Sequence, residues 1–168
     1  ITGVRRRGMT VAALRDFIIR QGPSRNIVTM DWTIFWNANK KEIDPVAPRH
    51  TALLQQDLVK VELTGSEAPT SVTTDDKPKH PKNADVGLKK VYYSNEIYLD
   101  QADAKTFKSG EEITLMGWGN AFVRDIPSAD PIPSLKLELN LKGDFKGTDK
   151  KVTWLSAKGF DLVPAELW

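Results

Sequence analysis

Leu135, Leu137, Leu139 and Leu141 alternate with Lys136, Glu138 and Asn140. Successive side chains of an extended chain point to opposite faces, so this order predicts a strand with one apolar and one wet face. Such a strand needs neighbours for its edges and cover for its apolar face. The sequence supplies the neighbours. Val59, Val61 and Leu63 alternate with Lys60 and Glu62, and weaker strand patterns cover 90–94, 96–99, 112–116, 121–124 and 152–155. Turn chemistry marks the joints: Ser109-Gly110, Gly117 and Gly119, Pro127 to Pro133, and Lys142-Gly143-Asp144. Several short strands at close spacing predict a small antiparallel barrel or sandwich. Residues 64–82, rich in Pro, Ser, Thr and Lys, predict a long loop.

Before residue 50 the period is helical. Val11, Leu14, Phe17 and Ile18 recur at 3,4 spacing, with Thr10 placed to cap and Gly22-Pro23 to stop the helix. A second helix is expected from about 31 to 43. Asp31 is its cap, Trp32, Phe35, Trp36, Asn39 and Ile43 share one side, and it ends before Asp44-Pro45. Ser24–Thr29 reads as an extended linker. The predicted fold is thus mostly β with an N-terminal helical pair, and no internal repeat is visible.

Composition removes several function classes. Among 168 residues there is no Cys, which excludes a disulfide scaffold, a cysteine-based zinc site and a cysteine nucleophile. The two histidines, His50 and His80, have no ligand spacing, so no metal site is expected. No apolar run approaches the ~18 residues of a membrane span, and no membrane partner is expected. Phosphate-cradling glycine loops and a nucleophile elbow are missing. Glu111 and Glu112 alternate sides of a strand and cannot face one substrate. No catalytic residue is assigned, and a small hydrolase is disfavoured. The chain opens on Ile1 rather than Met, and we expect it to be a piece of something longer.

The net charge of +2 is unevenly spread. Residues 1–50 carry nine Lys/Arg against four acids, and residues 77–90 carry five lysines against Asp85. Two cationic blocks suit an anionic partner that meets both, although most charge runs are simply solvated surface. The Arg5-Arg6-Arg7 run can grip phosphates bidentately or form a basic solvated turn. Arg49, fixed beside Pro48, can read a base edge or phosphate, or pair with Asp44. Among the tryptophans, Trp32, Trp36 and Trp154 are expected in cores. Trp118 is open between packing and base stacking, and Trp168 could in principle stack a base. His50 is expected in a structural or surface role, and His80 to face solvent.

At this point several segments resemble one family. Gly3-Val4-Arg5-Arg6-Arg7-Gly8-Met9-Thr10, followed by an amphipathic helix, is similar to the segment just after the ATP-handling loop of glutamyl- and glutaminyl-tRNA synthetases. The stretch from Asn39 to Leu53, with Asp44-Pro45-Val46-Ala47-Pro48-Arg49-His50-Thr51, resembles the passage into that family's anticodon-binding barrel. His80-Pro81-Lys82-Asn83, Glu96-Ile97-Tyr98-Leu99-Asp100, Leu115-Met116-Gly117-Trp118-Gly119 and Val152-Thr153-Trp154 continue the likeness in order. The Asp44–Thr51 stretch and the glycine-flanked Trp118 look like the glutamyl branch of eukaryotic cytosol. Bacterial glutaminyl enzymes carry base-reading arginines near Thr106 and Met116; neither position is basic here, and Lys105 and Lys108 stand nearby.

The resemblance implies a helical connector over 1–45 and, over 46–168, most of an antiparallel anticodon-binding β-barrel, incomplete in this piece. It implies a cytoplasmic parent that charges tRNA(Glu) using ATP and magnesium, with no cofactor in this piece and the nucleotide fold upstream of Ile1. A synthetase-associated protein could join through regions outside it. The RNA-contact residues expected are Arg49, Arg5, Arg6, Arg7, Arg25, Lys40, Lys41 and Lys105. The alternatives are the equivalent piece of a glutaminyl-tRNA synthetase, or a free-standing β-barrel module for a protein or polysaccharide.

Overall fold

A computed structural model of the chain describes residues 1–166. Trp168 lies outside them. The chain forms two compact units. The first comprises Ile1–Arg49, Pro78–Lys89 and the chain from Pro164; the second comprises His50–Lys77 and Lys90–Val163.

In the first unit, α1 (Thr2–Arg6), α2 (Val11–Gln21) and α3 (Trp32–Ile43) follow in order. Both predicted caps form. The Thr10 side chain accepts from the Ala13 N–H, and Asp31 accepts from Thr33, each satisfying a donor that the first turn leaves without a helical partner. Gly22, at φ 73°, ends α2 in the left-handed region that glycine adopts without steric cost. The helices meet where Phe17 packs edge-to-face on Phe35, with ring centroids 5.0 Å apart. The expected stripes are wider than this contact. Val11 is 61% exposed and Ile18 55%, and Trp32, expected in a core, is 67% exposed. Trp36 is half-buried against Phe35. Along this seam α2 and α3 cover one another, and apolar residues off it stay in contact with water.

The second unit is β. The strands are β1 (Val59–Thr64), β2 (Thr73–Pro78), β3 (Leu88–Tyr93), β4 (Glu96–Leu99), β5 (Glu112–Leu115), β6 (Gly119–Asp125), β7 (Ser134–Asn140), β8 (Lys151–Val152) and β9 (Trp154–Ser156), with Pro78 of β2 and Leu88 and Lys89 of β3 counted in the first unit. A short helix, α4 (Gln101–Ala104), which the sequence pattern missed, follows β4. Seven strands form one sheet in the order β8-β5-β6-β7-β1-β4-β9, while β2 and β3 form a separate ribbon. The segment 64–82 is therefore not all loop: six of its residues make β2. The predicted strand at 152–155 is two strands, broken at Thr153.

The sheet is a curled half-barrel, as expected of an incomplete barrel. Four of its pairings are antiparallel, whereas β1–β7 and β5–β8 run parallel. Its curl has a topological signature. The edge strands β8 and β9 are separated only by Thr153 in the chain, so the two edges must converge there. The inner face carries the predicted alternation: Val59, Val61, Leu135, Leu137, Ile97 and Leu99 are all 2% exposed or less. Leu141 departs from it. β7 ends at Asn140, the Leu141 N–H bonds the Glu67 carboxylate, and the side chain is 43% exposed. Trp154 is buried, and its indole N–H donates to the Met116 carbonyl at 2.9 Å. Trp118, half-buried, packs on it and on Tyr93, with centroids at 4.6 and 5.0 Å.

Candidate nucleic-acid interface

The two cationic blocks of the sequence fall largely into one compact unit. The first unit holds twelve Lys/Arg and six acids, net +6; the second holds twelve and sixteen, net −4. A surface that binds phosphates needs such a local excess.

Within the first unit, Arg5 and Arg6 occupy the last turn of α1, where cations complement the helix dipole, and Arg7 caps it. All three are exposed. The turn after them is held by a side chain from another helix. Asn39, 5% exposed on α3, donates from Nδ2 to the Gly8 carbonyl at 3.0 Å and accepts the Thr10 N–H at 2.9 Å. The sequence placed Asn39 on the apolar stripe; its amide is there to serve backbone groups that burial would otherwise leave unpaired. Lys40 and Lys41 lie exposed in the last turn of α3, and Arg25 lies exposed in the linker. Among the described residues, none of these six has a carboxylate within 4.0 Å; in this unit only Arg20 and Arg49 do.

Arg49 realises one of its two readings and leaves the other physically open. Its Nη2 donates to Asp44 Oδ1 at 3.0 Å, yet the side chain is 48% exposed. One contact leaves most of the five guanidinium donors free for an outside acceptor. Its backbone is fixed on both sides: the N–H donates to the Lys79 carbonyl at 2.8 Å, and the carbonyl accepts from Lys89 Nζ at 2.7 Å. Two further bonds bind 44–49 to the segment 78–89. His80 Nε2 meets the Asp44 carbonyl at 2.8 Å, and Asn83 Nδ2 donates to the Pro45 carbonyl at 2.8 Å.

His80 therefore does not face solvent as expected; it is 4% exposed. Its Nδ1 accepts the Lys82 N–H at 3.2 Å, so the proton facing Asp44 sits on Nε2. His50 is exposed. Lys105 belongs to the other unit, where its Nζ lies 2.6 Å from Asp130 Oδ1. Met116 is 58% exposed in the β5–β6 turn, and Thr106 bonds the Asp103 carbonyl.

Among the described residues no acid–base constellation emerges. Glu111 pairs with Lys150 at 2.7 Å, which holds its carboxyl below the usual range. Glu112 accepts from Asn120 and Asn140 instead, so the two acids have separate tasks. No cluster of three or more His, Asp or Glu side chains is placed to hold a metal among the described residues. Among the described residues no helix is long and apolar enough to cross a membrane.

Residues 47–140 match the family described as class I tRNA synthetases (E and Q), anti-codon binding domain. The chain belongs to this family. Over 99% of its length the chain is 54% identical to a probable cytoplasmic glutamate–tRNA ligase of Schizosaccharomyces pombe, and over 99% it is 50% identical to the cytoplasmic glutamate–tRNA ligase of Saccharomyces cerevisiae. It covers 23% of each of those proteins. A bifunctional glutamate/proline–tRNA ligase of Mus musculus is 46% identical over 98% of the chain, which covers 11% of it. The chain thus spans about a quarter or less of the relatives it matches. The family match covers residues 47–49 and the β unit through β7 but not β8 and β9, while the likeness to the ligases extends over the helical unit and the rest of the sheet as well.

Proposed function

We propose that this chain is the tRNA-binding piece of a cytoplasmic glutamate–tRNA ligase, and that it binds and positions tRNA(Glu) without performing chemistry. Residues 1–45 serve as a connector along the inner bend of the tRNA, and 46–168 as the barrel that meets the anticodon arm. The observation that carries this reading is the identity of one half or more to glutamate–tRNA ligases over 99% of the chain. The +6 helical unit, with its unpaired arginines, supports it physically. In the parent, ATP, magnesium and glutamate are handled outside this piece, and a synthetase-associated protein would join outside it too.

Arg5, Arg6, Arg7, Arg25, Lys40 and Lys41 act as phosphate contacts, and Lys105 as a contact on the anticodon side. Phosphate contacts position an RNA, whereas splayed bases give it identity. Arg49 is the specific contact: Asp44 orients its guanidinium and leaves donors over. The deciding experiment is tRNA binding by the 168-residue chain across a salt series, with tRNA(Glu) against an unrelated tRNA. A steep loss of affinity with salt and a preference for tRNA(Glu) are expected. Indifference to salt would instead fit a module for an uncharged ligand. Arg49→Ala is expected to cost about 1–3 kcal/mol of tRNA affinity, the range for one good base contact.

A further inference from the structure

Five lysines lie between residues 77 and 90, and the fold uses them unequally. Lys77 and Lys90, on the ribbon strands, pair with Asp75 at 2.6 Å and Asp76 at 3.4 Å. Lys79, Lys82 and Lys89, in the tip that joins the first unit, have no carboxylate within 4.0 Å among the described residues. The outer pair is neutralised and the inner three are not.

The tip is also an ordered frame. The imidazole of His80 is buried at its centre, with Nε2 tied to Asp44 and Nδ1 to the backbone of Lys82. The Lys79 carbonyl is held by the Arg49 N–H, and the Lys79 N–H donates to the Gly87 carbonyl at 2.9 Å. The Lys89 ammonium sits on the Arg49 carbonyl. Asn83 caps the short turn Ala84–Val86 and reaches Pro45. Lysines on a loose loop would keep a protein soluble equally well, and solubility does not call for a buried histidine behind them. Cations held in fixed backbone positions without counter-charges lose little further freedom when an anion arrives.

We propose that the tip 78–89 is a second phosphate-contacting surface for RNA, with Lys79, Lys82 and Lys89 as the contacts beside Arg49 and His80 as their positioning residue. This rests on the reading of the chain as a tRNA-binding piece. Ammonium groups act as point charges, so the surface contributes affinity and register rather than base choice.

The test is tRNA(Glu) binding by the 168-residue chain between about 50 and 200 mM salt. The variant Lys79→Gln/Lys82→Gln/Lys89→Gln is expected to flatten the slope of log K against log salt by about two to three, near one per lost phosphate contact. Lys77→Gln/Lys90→Gln removes two lysines whose charge is already paired and is expected to leave the slope as it was. His80→Ala is expected to weaken binding several-fold, with His80→Gln, which keeps a donor toward Asp44, recovering part of it. In the triple-lysine background His80→Ala should weaken binding no further, which a merely structural role would not predict. An unchanged slope in a folded triple variant overturns the proposal, as does equal flattening by both lysine sets. If the unaltered chain binds tRNA without salt dependence, the failure lies in the function proposed above.

Discussion

Each unit carries twelve Lys and Arg residues, yet eight of those in the barrel lie within 4.0 Å of a carboxylate and only two in the helical unit do, among the described residues. In the barrel the pairing follows from strand geometry. Outward positions of neighbouring strands stand opposite or diagonal to one another, so Glu62 meets Lys136 directly across on β7, and Lys60, opposite Tyr98, reaches diagonally to Glu96 on β4. The helical unit places its cations in an arginine run, a linker and the last turn of a helix, where no carboxylate stands opposite. The whole-chain charge of +2 conceals this division. The lesson is that a cation's partner, rather than its presence, separates upkeep of a surface from readiness to bind an anion.

The largest effect should come from the barrel core, with no change in RNA chemistry. Leu137, fully buried on β7, is expected to cost about 2–5 kcal/mol of stability on substitution to Ala. Urea unfolding would read this as a lower midpoint, and the salt slope of tRNA binding should stay unchanged under conditions where the variant is folded. A changed slope would mean that the two units are not separable in function.

Replacing Arg5, Arg6 and Arg7 together by Gln is the converse. We expect roughly a hundredfold loss of tRNA affinity near 0.1 M salt, by counterion release at three phosphates, with little change in the unfolding midpoint. Thr10→Ala should cost about 1 kcal/mol of stability through the lost helix cap, and it should affect binding only as far as it loosens the arginine turn.

The smallest effect is a pH dependence carried by one carboxylate of the barrel. Glu96 bonds Lys158, and next Lys60, and both hold its carboxyl below its ordinary value. The folded chain therefore takes up this proton less readily than the unfolded one. The stabilisation is present above the ordinary carboxylate range near pH 4.3 and is lost as pH falls through the lower folded value. Thermal melts between pH 6 and about 3 should show this loss, reduced in Glu96→Gln. Melts that decline equally in the variant would leave these ion pairs no part in acid stability.

Much of this was legible in the sequence, for reasons that differ by element. Thr10, Asp31 and Gly22 punctuate the helices through local hydrogen bonds and backbone freedom, which a sequence displays directly. The strands β1 and β7 declare themselves by alternation. β2 does not, because a ribbon strand whose residues are nearly all exposed carries no apolar period. Trp32 misleads because an apolar stripe states what could be buried, not how much of it a neighbour covers. His80 and the free lysines beside it were hidden for another reason. The charge block at 77–90 was plain, but its membership in the helical unit is a long-range fact, set by bonds to Asp44, Pro45 and Arg49 some 30 to 40 positions away. Lys105, chosen by nearness to a family position, turns out to lie beside Asp130, a partner no local pattern announces.

The residue between β8 and β9 has a consequence for how the barrel comes into being. Among the described residues every other strand of the sheet precedes Lys151, so until residues 151–156 emerge from the ribosome, β4 and β5 each keep a bare row of amide and carbonyl groups. One stretch, laid down late, zips to both at once. The nascent sheet must therefore wait with both of these edges bare until residues 151–156 are made, which makes this the interval in which a chaperone, or a neighbouring nascent chain, would find an edge to grasp.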